Sequence, residues 1–261
     1  MSPRKFFAFV IFTQLFFFST SLFSLGTYSE GWTVAKLTQF ESSGIIYESY
    51  EGVIEVTVYD PAEECDMARD ECFAPVRKKV QVSVRPENAD VVNFLSKNLN
   101  QTILIQFNIH RIKPVALSTS IEIVDAQYQD SKLPHTSPVK DPSGRITVWV
   151  TAHDTATPID KMTSRKTGGK RNFSVTGRIL SLEYKGTMVG TYEGIYLDES
   201  RGKVHPFSIT SEEMAEFAWK AMKYSGRYFL GVSVAFVVGV RESNYDIFEI
   251  NFREPAGTQS K

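Results

Sequence analysis

Ser49-Tyr50-Glu51-Gly52-Val53-Ile54 and Thr191-Tyr192-Glu193-Gly194-Ile195-Tyr196 are two versions of one phrase. Each stands at the same distance behind a glycine, Gly44 in the first copy and Gly186 in the second. Working outward, Val34, Lys36, Leu37 and Phe40 precede Thr176, Arg178, Ile179 and Leu182 by 142 residues, the spacing that also separates Gly52 from Gly194. Further along the spacing falls to 125, as between Val92 and Phe217. The loss matches an acidic, cysteine-bearing insertion at 60–75 that only the first copy has. Self-similarity of this kind predicts a duplicated module.

Around the phrase, alternating apolar and polar residues predict strands. In the first copy these cover Trp32–Phe40, Ile45–Tyr59, Lys79–Val84, Thr102–His110 and Ser118–Ala126. A helix opened by Pro86-Glu87 carries Val91, Val92, Leu95 and Leu99 on one face. The second copy repeats the order with strands Phe173–Leu182, Thr187–Leu197, Lys203–Ile209, Arg227–Val238 and Tyr245–Phe252. Its helix is capped by Thr210 or Ser211 and bears Met214, Phe217, Ala218, Ala221 and Met222 as an apolar stripe. Strand, strand, strand, helix, strand, strand is the element order of an OB-fold. The expected fold is therefore mainly β with one helix per module. It consists of two tandem small five-stranded barrels, OB-like, with an SH3-like barrel as the alternative. The modules span 27–127 and 173–253, with a polar tail at 254–261. Between them, 128–172 is rich in Pro, Gly, Ser and Thr and reads as a linker. Its strand-like run at 145–151 is expected to pair with one of the two modules.

The first 26 residues have the layout of a secretory signal peptide. Arg4 and Lys5 precede an apolar stretch, Phe6 to Phe18, and small residues follow at Ser19, Ser21, Ser24 and Gly26. An uncleaved N-terminal anchor is the alternative, and would be the chain's sole attachment to a membrane. The chain is thus expected to be exported, to a periplasm or to the cell surface and outer membrane. The formal net charge is −1, so bulk electrostatics give no case for a polyanionic partner. With export, this predicts no nucleic-acid partner.

Tyr28-Ser29-Glu30-Gly31, the Phe40–Gly44 turn and the Tyr-Glu-Gly phrase resemble a family of short bacterial envelope proteins of unknown function. Members of that family begin with a hydrophobic segment followed by Tyr-Ser-x-Gly, a Lys-Gly turn and a Thr-Tyr-Glu-Gly strand. The resemblance implies an envelope protein, here with two modules where the family has one. Some members bear the name of a 6-phosphogluconate dehydrogenase. This chain has no GxGxxG strand-to-helix fingerprint to go with that name.

Candidate chemistry is sparse. Cys65 and Cys72 in an exported chain are expected to form a disulfide. The acidic residues around them lack EF-hand spacing, and no zinc ligand set accompanies them. His110, His135, His153 and His205 are scattered. No nucleophile elbow, P-loop or HExxH helix is present, so no catalytic residue, metal site or cofactor is assigned. Gly44, Gly52, Gly186 and Gly194 read as bends of a small barrel. Tyr50 and Tyr192 read as core or rim packing. Glu51 and Glu193, on the opposite parity, are either exposed or bonded to a backbone amide at the bend. The function expected is a non-enzymatic binding or assembly module for an envelope protein or glycan. The alternatives are a surface adhesin for host matrix, and an envelope hydrolase acting on carbohydrate, which would require convergent carboxylates or histidines between the barrels.

Overall fold

The computed structural model describes residues 27–44, 48–60, 73–131, 136–140, 146–151, 161–164, 169–185, 190–235 and 241–252. Cys65, Cys72, His135, His153 and Gly186 lie outside them. The described chain is mainly β, with two helices. Its first half holds β1 (Thr27–Ser43), β2 (Ser49–Tyr59), β3 (Pro75–Val84), α1 (Ala89–Lys97), β4 (Thr102–His110) and β5 (Ile121–Gln127). Then come β6 (Thr136–Lys140), β7 (Ile146–Thr151) and β8 (Lys161–Thr163). The second half holds β9 (Gly169–Lys185), β10 (Thr191–Asp198), β11 (Lys203–Ile209), α2 (Glu212–Met222), β12 (Tyr228–Ala235) and β13 (Tyr245–Asn251).

Pairing in the first half runs β1–β2–β3–β5–β4 and back to β1, a ring of five strands. The β3–β5 step is parallel and the others antiparallel. In the second half β9–β10–β11–β13–β12 returns to β9, again with one parallel step, β11–β13. The duplication extends to register. Leu37 pairs with Ile54 and Gln39 with Val53, leaving Thr38 as a bulge. Ile179 pairs with Tyr196 and Ser181 with Ile195, leaving Leu180 in the same place. A bulge inserts one residue and sharpens the local bend, which lets a long first strand serve both sides of a small ring.

The two rings are joined through their first strands. Ser29–Thr33 of β1 pairs antiparallel with Ser181–Lys185 of β9. One sheet therefore curls into ring 1 on one side and into ring 2 on the other. Strand alternation divides β1 accordingly. Ala35 and Leu37 lie in the ring 1 core with Ile54, Val82, Leu95 and Ile103. Trp32 and Val34 pack on the ring 2 core with Leu182, Phe207, Phe217 and Leu230. Gly31 permits the crossing: a Cβ there would sit 2.4 Å from the Leu182 carbonyl oxygen.

α2 is held as its sequence predicts. The Met214 amide donates to Ser211 Oγ (3.3 Å), Glu212 and Glu213 occupy the first turn, and the apolar stripe is fully buried. α1 is shorter than expected. Pro86-Glu87 form a turn, Asn88 precedes the helix with its side-chain amide donating to the Val124 carbonyl (2.8 Å), and Leu99 is exposed beyond the last turn. The run at 145–151 pairs with neither ring: β7 is matched by β6 in a separate two-stranded sheet. Instead the short β8, which the linker reading missed, joins ring 2 through β13. Among the described residues no helix is long and apolar enough to cross a membrane.

Candidate binding site

The glutamate of the repeated phrase anchors a hydrogen-bond cluster in each ring. In ring 1, Ser49 Oγ donates to Glu51 Oε1 (2.6 Å) and Ser83 Oγ donates to Oε2 (2.6 Å). The Ser118 amide also donates to Oε1 (3.4 Å). The Thr119 amide donates to Ser83 Oγ (3.0 Å), and the Ile121 amide to Thr119 Oγ1 (3.3 Å). Ring 2 repeats this pattern. Ser208 Oγ donates to Glu193 Oε2 (2.6 Å), the Ser243 amide to Ser208 Oγ (3.3 Å), and the Tyr245 amide to Ser243 Oγ (3.1 Å). Each carboxylate thus ties the second and third strands of its ring to the loop entering the fifth. The amide that reaches Glu51 belongs to Ser118 in the loop before β5 and not to the bend, and neither glutamate is exposed. Burial pushes the Glu193 carboxyl above the ordinary carboxylate range, against the opposing pull of Ser208, Thr191 and the Glu242 backbone.

The other members of the phrase pack locally. A Cβ on Gly194 would lie 2.3 Å from the Ser181 carbonyl oxygen beside the bulge, and one on Gly52 3.1 Å from that of Gln39. Gly44 has φ +115°, in the region that favours glycine. Tyr50 stacks on Phe40 (5.7 Å), and Tyr192 lies against Tyr184 (5.0 Å) and Trp219 (5.5 Å).

Beside each cluster the outer face of the ring forms a groove. In ring 1 it holds about 270 Å³ between Gln39, Glu41, Ser43, Glu51, Gln81 and Ser118. In ring 2 the groove lies between Ser181, Glu183, Lys185, Glu193, Pro206 and Glu242, and it shrinks to about 140 Å³. Both grooves lie on the face of the first three strands of a five-stranded ring, flanked by the loop before the fifth strand. They differ in what fills them. In ring 2, Lys185 Nζ bridges Glu183 (2.7 Å) and Glu242 (2.9 Å), and Ser29 Oγ from β1 donates to Glu183 Oε2 (2.9 Å). Burial depresses the Lys185 ammonium, but the two carboxylates more than offset this and the net shift is upward. Tyr59 reaches the same groove from ring 1. In ring 1, Gln39, Glu41 and Ser43 are exposed.

The ring interiors differ too. Tyr196, His205 and Tyr245 fill one end of ring 2, with Tyr196 stacked on His205 (5.1 Å, 22°) and Phe73 against the histidine (5.5 Å). Ring 1 has Ile54, Val80 and Ile121 at the equivalent places, and its mouth is an apolar cavity of about 350 Å³. His110 is elsewhere again, its Nε2 2.6 Å from Glu122 Oε2, with Arg85 Nε 2.6 Å from Oε1 of the same carboxylate. The cleft between the rings, about 600 Å³, gathers Lys36, Glu55, Arg77 and Arg178. The hydrolase alternative predicts paired carboxylates or histidines there, and among the described residues the cleft contains one glutamate and no histidine. No group of three or more potential metal ligands occurs among the described residues. Sequence reasoning missed Ser83 and Ser208, whose own spacing of 125 was the available signal. It also missed Glu41, Glu183, Lys185 and Ser29, which become a set only through the pairing of strands.

Two five-stranded rings with the same register and the same hydrogen-bonded carboxylate define a duplicated β-domain. The chain belongs to the family described as "Domain of unknown function (DUF8785)", whose model matches residues 26–133 and 168–257. No curated protein matches it. Among solved structures it is similar to two forms of the single-stranded DNA binding protein from Thermus aquaticus. One is a deletion mutant, at 8% identity and TM-score 0.24 over 90% of this chain and 99% of that one. The other is the wild type, at 7% identity and TM-score 0.23 over 90% and 97%. The expectation of no nucleic-acid partner is corrected accordingly, since the structures matched are DNA-binding proteins. At these scores the likeness carries no argument about what this chain binds.

Proposed function

We propose that the protein is an exported envelope protein that acts as a binding or assembly module, built of two OB-like barrels in tandem with the working site on the first. The OB reading is supported by the strand circuit, by the parallel step from third to fifth strand, and by the helix between third and fourth. In such barrels ligands lie on the face of the second and third strands, flanked by the loops before the second and fifth. The grooves beside Glu51 and Glu193 occupy that face. The observation that carries the proposal is the contrast between them: ring 2's groove is filled from within the chain by Lys185, Ser29 and Tyr59, while ring 1's is open. The N-terminal signal layout supports export.

The test is site-specific photo-crosslinking in intact cells. A photoreactive residue at Ser43 is expected to give a heavier adduct in the envelope fraction, and one at Lys185 to give none. Absence of an adduct at Ser43, or recovery of the protein in the cytosol alone, overturns the reading.

A further inference from the structure

Resting on that reading, we infer that the free edge of Gln39–Ser43, which borders the open groove of ring 1, is a strand-acceptor site for an extended Ser-x-Gly segment of a partner protein. The argument comes from the equivalent place in ring 2. There Ser181–Lys185 is paired with β10 on one edge and receives Ser29–Thr33 of β1 on the other. Ser29 donates to Glu183, and Gly31 lies opposite Glu183, where its missing side chain lets the strands meet. In ring 1 the equivalent stretch is Gln39–Ser43, paired with β2 on one edge. On its other edge β4 stops at Lys36, and a last pair of backbone bonds holds Leu37 to Gln101 and Asn100. Beyond that no described strand pairs with Gln39–Ser43. An open strand edge is a template for one more strand. Glu41 stands where Glu183 accepts the Ser29 hydroxyl, and it is exposed.

The same equivalence selects the occupant. A second copy of this chain would have to offer the corresponding edge of ring 2, Arg171–Val175. There Phe173 stands in the place of Gly31, where even a Cβ would come within 2.4 Å of backbone. The chain's own Ser29-Glu30-Gly31 is already engaged by β9. The remaining fit is a Ser-x-Gly strand from another protein, bound antiparallel with its serine opposite Ser43 and its glycine opposite Glu41.

The experiment uses the purified protein and a fluorescent peptide of sequence Thr27–Val34. Saturable binding by anisotropy is expected, with protection of the Gln39–Ser43 amides from hydrogen exchange. Glu41→Ala in the protein, or Ser29→Ala in the peptide, should weaken binding about ten-fold, as loss of a hydrogen bond to a charged group does. Gly31→Val in the peptide should abolish it, and Glu87→Ala in the protein, at an exposed glutamate that lines neither groove, should leave it unchanged. The inference is overturned by no binding, by binding indifferent to Glu41→Ala, or by loss of protection at Ser29–Thr33 of the protein, which would mean that the peptide displaces β1 from β9. An adduct at Ser43 in cells without peptide binding removes this occupant and leaves the binding module standing. Loss of both removes both.

Discussion

Glu183 in ring 2 meets Lys185 and the Ser29 hydroxyl, whereas the equivalent Glu41 in ring 1 is exposed. The strand circuit and the carboxylate cluster that ties it together are the same in the two rings. Glu51 and Glu193, Ser83 and Ser208, Gly52 and Gly194, and the bulge at Thr38 and Leu180 match in register and in bonding. What differs faces outward or into the mouth of the ring. The difference teaches that the repeated phrase is a device for building a ring. Recognition is to be sought where the copies disagree.

The largest effect that would break this comparison is at Gly31, whose counterpart is Phe173. Gly31→Val forces a side chain into the Leu182 backbone and is expected to cost about 3 kcal/mol, read by urea unfolding together with loss of β1–β9 amide protection. A normal midpoint would mean the junction is looser than described. Next, Tyr196→Ile gives ring 2 the residue of ring 1 and should cost about 2 kcal/mol through lost packing. The reverse change, Ile54→Tyr, should stay within about 1 kcal/mol because the ring 1 mouth has room for it. Equal costs would show that the two interiors are alike after all. Third, Ser208→Ala is expected to cost about 2 kcal/mol and Ser83→Ala about 1 kcal/mol, since Glu193 is more deeply buried than Glu51. The smallest effect is one of pH. The Glu193 carboxyl is raised above 4.5, so the folded state binds its proton more tightly than the unfolded state does. Its contribution is fully favourable below pH 4.5 and is lost as pH rises through the raised value. Glu193→Gln should abolish that part of the pH dependence in a denaturation series, and an unchanged slope would assign it to another group.

The duplication was legible because matches at a spacing of 142 residues run without a gap from Val34 to Gly52 and from Thr176 to Gly194. The class of most elements followed from alternation, and the start of α2 from Ser211. The end of α1 was misjudged because Leu99 continues the apolar spacing but lies past the Asn98 cap. The pairing of 145–151 was misplaced because its partner, Thr136–Lys140, contains Pro138 and does not look like a strand. The candidate site was less legible. Glu51 and Ser83 are distant in sequence and meet only across two paired strands. Nothing local to Ser29 or Glu41 says that one is covered and the other open. That follows from which edges the ring closure uses up.

Trp32 belongs by chain position to ring 1 and by contact to the core of ring 2. During synthesis ring 1 is complete in sequence before β9 has been made, and until then the Trp32 and Val34 side chains lack the core they pack against. The first half of the chain must therefore wait, with an apolar strand face exposed, for the second half to arrive. A ribosome-stalled or truncated first half would be the form most in need of a chaperone, and the burial of Trp32 would time its release.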